Sequence, residues 1–164
     1  VERAMIHLDM VFSVVDVDTC LAYEPVILSR HRARVIRIDV SAEGVTQYTE
    51  ELSLLDGLKK VGIDLEPVHA GGDNSIQAER EQWLSGANAF AFGPGKILQY
   101  SCNTSTAEAL SKHGFEIKHA RDIMKQNIDP FSYKKLAVLF DGIELARGGG
   151  GARCMTCPVE REDI

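Results

Sequence analysis

The sequence has no apolar run approaching the roughly 20 residues that a membrane-spanning helix needs. Of its 164 residues, 45% are hydrophobic and 26% are charged, and both fractions are typical of soluble globular proteins. A chain of this length can remove roughly two thirds of its extended surface from water, which is enough for a substantial core. We therefore predict a soluble globular domain with no membrane partner.

An excess of basic residues is also missing. The formal net charge is -6, and a field of that sign repels the phosphate backbone of a nucleic acid. The one basic cluster, RHRAR at residues 30–34, opens onto the strand-like VIRIDV. So short a cluster is more typical of a solvated loop edge than of a nucleic-acid patch. We exclude nucleic acid as a partner.

Cysteine is scarce, with four residues scattered among long cysteine-free stretches. The dense spacing of a small disulfide-stabilised secreted domain is absent, so a cytoplasmic location is expected. The sequence begins at Val1 with neither an initiator methionine nor a charged-then-apolar leader. We expect a missing upstream segment rather than a signal peptide.

The apolar periodicity alternates between strand and helix patterns, which favours an α/β fold. Extended segments are predicted at residues 5–15, 35–40, 65–69, 89–92, 96–100, 115–118 and 153–159. Helices are predicted at residues 46–61, where apolar residues recur every three or four positions, and at residues 104–113. Gly62 and Gly114 follow these two helices and provide their stops.

Two segments match at a shift of 52 residues: LKKVGIDL at 58–65 and LSKHGFEI at 110–117. Each combines a helix end, a glycine suited to a left-handed cap and an alternating strand, as in a repeated supersecondary module. So common a pattern also arises by chance, and both interpretations stay open here. An α/β architecture follows from either.

Two stretches near the C-terminus have less regular patterns. Residues 122–145 stay unassigned, because Pro130 breaks a helical pattern and KKLAVLF fits a buried strand or one face of a helix. Residues 148–151 are four consecutive glycines. Such a run favours neither helix nor strand, and it predicts a mobile or tightly approaching loop.

Cys154, just after the glycines, is a candidate nucleophile. Arg153 beside it can lower the thiol pKa if the two side chains approach, although neighbours on a strand point to opposite faces. The alternative is a small buried apolar residue. Cys154 and Cys157 also form a CxxC pair, but the sequence supplies no further zinc-ligand motif, and Pro158 follows where a thioredoxin-type dithiol requires a helix. No metal site is expected.

His7 and Asp9 alternate within MIHLDMVF, so a strand would place both side chains on one face. A carboxylate can accept hydrogen bonds from a planar guanidinium, and a histidine near its neutral pKa can move protons. Hydrolysis at a guanidinium carbon requires both functions. The alternative is a half-exposed strand whose polar residues face water. The lone Trp83 is expected to pack in the core or at an edge.

Four sequence blocks occur in an order that closely resembles the arginine deiminase family. They are MIHLDMVFS, GGDNSIQAEREQWLSGAN, PGKILQYSCN and GGGGARCMTCPVERED. The blocks lie within residues 1–16, 70–118 and 145–164, which together are about half of the chain. HLD and RCMTCP are the most specific of these motifs.

The resemblance implies the pentein fold, a propeller of ββαβ modules around a pseudo-fivefold axis. The near-repeat agrees with such modules. Residues 1–164 would then form the C-terminal part of the catalytic domain, holding about two or three modules of this partial β/α-propeller.

The resemblance also implies the site residues and the substrate, L-arginine. Cys154 would attack the guanidinium carbon and form a covalent amidino intermediate, which water hydrolyses to citrulline. His7 would carry protons, and Asp9 would hold the guanidinium. Gly148 and Arg147 would join Asp9 in binding the substrate. No metal or organic cofactor is implied.

Part of the family's constellation has no matching motif here. The family also uses a second aspartate at the guanidinium, a glutamate near the histidine, and arginines and an asparagine at the substrate carboxylate, all upstream of HLD. We therefore expect the missing N-terminal segment, or another copy of the chain, as a partner.

Two positions depart from the family pattern. Cys102 stands where members usually have arginine in YxRN, and Gly149 stands where some members have a substrate-clamping arginine, for which Arg147 is a candidate substitute. Two competing hypotheses remain. One is a related enzyme acting on agmatine or methylated arginines, and the other is a non-catalytic fragment or interaction module with the same fold.

Overall fold

The computed structural model describes residues 5–29 and 34–160, and within those ranges strands and helices alternate. The strands are β1 (Phe12–Val14), β2 (Thr19–Ala22), β3 (Val35–Val40), β4 (Thr46–Glu51), β5 (Glu66–His69), β6 (Phe90–Gly93), β7 (Lys96–Tyr100), β8 (Glu116–His119) and β9 (Leu136–Phe140). The helices are α1 (Glu24–Ile27), α2 (Leu54–Lys60), α3 (Ser75–Trp83), α4 (Thr104–Lys112), α5 (Ala120–Gln126) and α6 (Ile143–Gly148). Short 3₁₀ helices lie at Leu8–Met10 and Pro130–Ser132. This mixed architecture confirms the predicted α/β class.

The strands form two sheets that share a core and one separate hairpin. The first sheet has the order β1-β2-β5, with β1 antiparallel and β5 parallel to the buried central strand β2. The second sheet has the order β6-β7-β9-β8, in which β7, β9 and β8 run parallel. Parallel neighbours need long crossovers, and the helices supply them. β3 and β4 pair only with each other within the described residues.

Strand β9 settles the segment that the sequence left open. In the sheet, β9 lies between β7 and β8. Its consecutive residues Leu136, Ala137 and Val138 are all buried, so both faces of the strand LAVLF are covered there, which explains its uninterrupted apolar pattern. The predicted strands at residues 35–40 and 96–100 coincide with β3 and β7.

The two similar sequence segments adopt the same local structure. Gly62 and Gly114 both take positive φ, at 89° and 85°. The next residues, Ile63 and Phe115, donate backbone hydrogen bonds of 3.0 and 3.1 Å back to Leu58 and Leu110. Both helices therefore end in the same Schellman-type cap. In each case the chain then enters a strand, β5 or β8.

The helix predicted at residues 46–61 is wrong in its first half. Thr46–Glu51 is β4, and the helix α2 begins only at Leu54, after the Ser53 hydroxyl accepts a hydrogen bond from the Asp56 amide at 3.1 Å. The apolar spacing fitted a helix, but pairing of six residues with β3 overrides it. Tertiary pairing commonly overrides such local preferences.

Two predicted extended segments are also wrong. In residues 5–15 the strand is limited to Phe12–Val14, and the preceding residues Leu8–Met10 form a 3₁₀ helix. His7 and Asp9 therefore do not share the face of one strand. Residues 152–155 form a turn, closed by a 3.0 Å hydrogen bond from the Thr156 amide to the Arg153 carbonyl. Both segments are hydrogen-bonded to the Asn88 side chain.

The basic cluster at residues 30–34 lies mostly outside the described residues. Its last member, Arg34, is exposed and donates two hydrogen bonds to Glu50, of 2.9 and 2.8 Å. None of the helices in residues 5–29 and 34–160 has both the length and the apolar character that crossing a membrane requires.

A half-buried ion pair joins the two sheets. Lys135, just before β9, lies 3.2 Å from the Asp16 carboxylate in the β1–β2 turn. Its ammonium also donates to the Thr19 hydroxyl at 3.1 Å and lies over the Phe115 ring. Leu21, Val68, Ile97, Leu110 and Ala137 belong to the common apolar core beneath this contact.

Glu81 on α3 holds the start of α4. Its carboxylate is buried and accepts hydrogen bonds from the amides of Ser105 and Thr106, at 2.7 and 2.9 Å, and from the Thr106 hydroxyl at 2.7 Å. The same hydroxyl accepts from the Gly71 amide at 2.7 Å. An anion at a helix N-terminus satisfies amides that have no partner within the helix.

We predict that Glu81→Gln destabilises the chain. Both oxygens of the Glu81 carboxylate accept hydrogen bonds, so the NH₂ group of glutamine would face an N–H or O–H donor and leave it without an acceptor. The expected loss is about 1 to 3 kcal/mol in the free energy of unfolding. Urea denaturation measures it. Glu79→Gln on the exposed side of α3 is the matched control and is expected to have little effect. Equal stability of the two variants would contradict the prediction.

Candidate active site

The turn that carries Cys154 is shaped by the glycines before it. Gly149 and Gly150 adopt positive φ, at 104° and 95°, after α6 ends. A Cβ atom on Gly151 would lie 2.5 Å from Asn88 Oδ1, and one on Gly150 would lie 2.9 Å from Cys154 Cβ. Of the two loop types predicted, residues 150 and 151 therefore form the tightly approaching one, because only glycine fits these contacts.

Asn88 joins the Cys154 turn to the segment that carries Asp9. Its Oδ1 accepts hydrogen bonds from the amides of Arg153 (2.9 Å) and Cys154 (3.3 Å). Its Nδ2 donates to the Asp9 carbonyl at 2.9 Å and to Cys154 Sγ at 3.2 Å. The amide thus holds the turn and the 3₁₀ helix in their irregular conformations, which explains why neither is the predicted strand.

Cys154 and Asp9 are in direct contact. The thiol donates to Asp9 Oδ2 at 3.3 Å, and its sulfur lies 3.8 Å from Met10 Sδ. Asp9 belongs to the 3₁₀ helix Leu8–Met10, in which the Met10 amide donates to the His7 carbonyl at 3.1 Å. The turn of this short helix, rather than strand alternation, aims the carboxylate at the sulfur.

A cavity of about 610 Å³ opens beside the thiol. Two chain regions line it, one around the 3₁₀ helix and the end of α3, and the other around the end of α6 and the glycine loop. Its lining residues are Ile6, His7, Met10, Trp83, Leu84, Ser85, Ala146, Arg147, Gly148, Gly149, Gly150 and Cys154. The wall is mostly apolar with a few polar groups, as is usual for a small-molecule site.

The remaining predicted residues occupy different positions around this cavity. His7 is exposed and shares the cavity wall with Cys154, while Asp9 lines a second cavity with Arg153. Arg147 and Gly148 both line the first cavity. The Arg147 guanidinium donates to the Glu144 carboxylate at 3.1 and 3.2 Å. Cys157 is exposed, and Cys154 and Cys157 are both free thiols.

The electrostatic surroundings of Cys154 favour the neutral thiol. Burial raises its pKa above the ordinary value, and the nearby Asp9 carboxylate raises it further. Hydrogen bonds from the Gly151 backbone and the Asn88 side chain act in the opposite direction but do not offset the rise. The sequence suggested that Arg153 could lower this pKa, whereas the resulting direction is upward, because loss of hydration and a like charge destabilise the thiolate.

Tyr100, the last residue of β7, contacts the glycine loop that precedes Cys154. Its hydroxyl donates to the Gly150 carbonyl at 3.3 Å and lies 3.7 Å from Met155 Sδ. Its ring leaves no room for a side chain at Gly142, the residue that precedes α6. Burial raises the Tyr100 pKa, and the proximity of Cys154 adds to the rise. The tyrosine is therefore a neutral support for the turn.

Sequence reasoning missed Asn88 and the cavity position of Trp83. Trp83 was expected to pack, but about half of its surface is exposed and it lines the cavity. Asn88 lies between two buried alanines, Ala87 and Ala89, and is itself 1% exposed. A lone amide in an apolar run was the available signal, since a buried polar side chain requires partners.

The chain is similar to known proteins over almost all of its length. A family model described as arginine deiminase matches residues 1–161. The arginine deiminase of Clostridium perfringens is 35% identical over 166 residues, covering 100% of this chain and 35% of that protein. The arginine deiminases of Limosilactobacillus reuteri and Streptococcus agalactiae are each 32% identical, covering 99% of this chain and 35% and 34% of their own lengths. The chain thus spans about a third of these relatives.

We predict that Asp9→Asn increases the reactivity of Cys154 towards iodoacetamide. Removing the carboxylate charge lowers the thiol pKa, so at about pH 8 a larger fraction is thiolate and alkylation is severalfold faster. Mass spectrometry of the peptide with both C-terminal cysteines measures the rate at each sulfur. Asp73→Asn, at an exposed turn, is the control and should leave the rate unchanged. A slower reaction in Asp9→Asn would contradict the assigned electrostatics.

Proposed function

Because this chain belongs to the arginine deiminase family, we propose that it supplies the nucleophile for hydrolysis of L-arginine to L-citrulline and ammonia. The observation that carries the proposal is the 3.3 Å contact between Cys154 Sγ and Asp9 Oδ2 beside a cavity that His7 also lines. A guanidinium bound by Asp9 would present its carbon to this sulfur.

Substrate binding activates the thiol in this proposal. The Asp9 carboxylate raises the Cys154 pKa in the unliganded site, and a guanidinium cation on that carboxylate neutralises its charge. The thiol proton then leaves to solvent or to the His7 imidazole. Activation therefore depends on a cationic substrate, which favours arginine-like ligands over neutral amides.

The reaction proceeds through a covalent intermediate. The thiolate sulfur forms a bond to the guanidinium carbon, and the resulting tetrahedral adduct loses one nitrogen as ammonia after that nitrogen accepts a proton from His7. Water then adds to the carbon of the amidino thioether as His7 takes its proton. The C–S bond breaks, its electron pair and the remaining hydroxyl proton pass to the Cys154 sulfur, and citrulline leaves with its new C=O bond.

The far end of the substrate faces the C-terminal end of α6. Gly148 and Arg147 line the cavity beside Cys154, and the Arg147 guanidinium is exposed at its rim. A substrate carboxylate can take the place of Glu144 as its partner, because an exposed ion pair stabilises little and exchanges readily. Arg147 thereby substitutes for the arginine that some members have at position 149.

The chain supplies two or three pentein modules of a larger catalytic domain. Two units with matching helix caps support the modules. One is the uninterrupted succession β6-β7-α4-β8, and the other is β1-β2-α2-β5, in which α1, β3 and β4 lie between β2 and α2. The chain spans about a third of the length of the curated relatives, so the second guanidinium-binding carboxylate and the remaining partners of the substrate carboxylate come from an N-terminal segment or from another copy. The assembled enzyme acts in the cytoplasm.

Two alternatives remain as outcomes of one assay. Ammonia release from arginine, agmatine and dimethylarginine, measured with the upstream segment present, separates the proposed enzyme from related hydrolases. If none of the three compounds releases ammonia, a non-catalytic interaction module is favoured. The chain covers only 35% of the Clostridium perfringens relative, which is why this alternative is tested.

We predict that Cys154→Ser in the complete enzyme reduces citrulline formation by roughly four orders of magnitude or more, since a neutral hydroxyl is a poor nucleophile here. Cys157→Ser is the matched control and should keep most of the activity, because its thiol lies three residues further along an exposed segment. Equal losses would instead support a dithiol or metal mechanism. An arginine-derived adduct located by mass spectrometry identifies the modified sulfur.

We also predict that the 164-residue chain alone does not hydrolyse arginine at a useful rate. Positioning can supply roughly 7 to 11 kcal/mol of barrier lowering, so loss of half of the substrate contacts removes orders of magnitude. Citrulline release is measured for the chain alone and after addition of the upstream segment. Restoration on mixing supports a divided site, whereas full activity of the lone chain would show that its substrate contacts are complete.

A further inference from the structure

Asn88 is a buried amide whose hydrogen-bond partners all lie in the two segments that carry Asp9 and Cys154. It is buried, and each of its four hydrogen-bonding capacities is used by a segment of the candidate site. We infer that Asn88 is the positioning residue that sets the Cys154 sulfur against the Asp9 carboxylate, a role that rests on the proposed function. No substrate atom needs to touch it.

The orientation of the amide follows from its partners. Oδ1 faces two N–H groups, those of Arg153 and Cys154, and Nδ2 faces the Asp9 carbonyl and the Cys154 sulfur. A flipped amide would oppose donors to donors and acceptors to acceptors at all four contacts. The site therefore requires an acceptor and a double donor at fixed positions, which among the standard side chains only asparagine and glutamine provide.

The available space excludes the longer amide. The Gly151 backbone approaches so closely that a Cβ on it would lie 2.5 Å from Asn88 Oδ1 and 2.6 Å from Asn88 Cβ. An added methylene in glutamine would have to enter this packed region, which is costly in a dense interior. Aspartate fits the space but replaces the donor with an anionic oxygen beside both the Asp9 carbonyl and the sulfur.

The contact geometry links position to reactivity. Asn88 donates to Cys154 Sγ from one side while the thiol donates to Asp9 from the other. The amide therefore stabilises a thiolate that the carboxylate opposes. Other charged or titratable groups near the sulfur are His7, Arg147, Arg153 and Tyr100, and the Asn88 variants leave all of them in place.

The test measures alkylation of Cys154 by iodoacetamide between about pH 6 and pH 10, a range that brackets ordinary thiol pKa values. In the 164-residue chain, Asn88→Asp is expected to move the midpoint to higher pH and slow the reaction at about pH 8 by at least about tenfold. Asn88→Ala is expected to shift the midpoint in the same direction but less, because it removes the donor without adding a charge.

Asn103→Ala is the matched control. Asn103 is equally buried, and its Nδ2 donates to the Leu84 carbonyl at 3.0 Å rather than to the Cys154 turn. Exposed Cys157 is the internal reference for intrinsic thiol reactivity. Fully buried Cys20 reports unfolding, since it reacts only when the core opens.

An unchanged Cys154 midpoint in folded Asn88→Asp and Asn88→Ala would overturn the proposal, as would an equal shift in Asn103→Ala. If every Asn88 variant unfolds while Asn103→Ala stays folded, the role of Asn88 is structural and the positioning proposal is also overturned. Arginine does not enter this readout. A midpoint shift without citrulline formation by the complete enzyme would therefore retain the Asn88 proposal and reject only the proposed function.

Discussion

The amide of Asn88 is the interaction on which the candidate site depends. It is buried, so leaving any of its four hydrogen-bonding capacities without a partner would carry a free-energy cost comparable to a lost hydrogen bond. The backbone of the Cys154 turn and the 3₁₀ helix with Asp9 satisfy it together. These hydrogen bonds require non-extended backbone in both segments, which accounts for the 3₁₀ helix at Asp9 and the turn at Cys154.

The rest of the fold brings these segments within reach of one another. Asp9 and Cys154 are 145 residues apart in the chain, and closing so long a loop requires compensation from the packed core. Lys135 ties the two sheets together through Asp16, and Glu81 ties α3 to α4. Asn88 lies between the end of α3 and the start of β6. The Lys135 and Glu81 contacts therefore hold the elements on either side of it.

Hydrogen bonds hold the Cys154 turn in place, and the surroundings of the sulfur favour the neutral thiol. Burial and the Asp9 carboxylate both raise the Cys154 pKa, because each disfavours the thiolate. In the proposed mechanism, a cationic ligand on Asp9 would offset the effect of that carboxylate on the thiol pKa. Arg147 and the half-exposed Trp83 also line the cavity wall, where they present a cation and an aromatic surface.

The sequence by itself determined the α/β class, the glycine-capped helix ends at Gly62 and Gly114, and the identity of Cys154, His7 and Asp9 as candidates, because these depend on local periodicity and short motifs. It misassigned residues 46–51, since pairing with β3 outweighs a helical apolar spacing. Tertiary structure alone decided the hydrogen bonds of Asn88, the conformation around Asp9 and the upward direction of the Cys154 pKa. These arise from contacts between residues 65 to 145 positions apart, where hydrogen bonding and burial act through space and leave no periodic pattern in the chain.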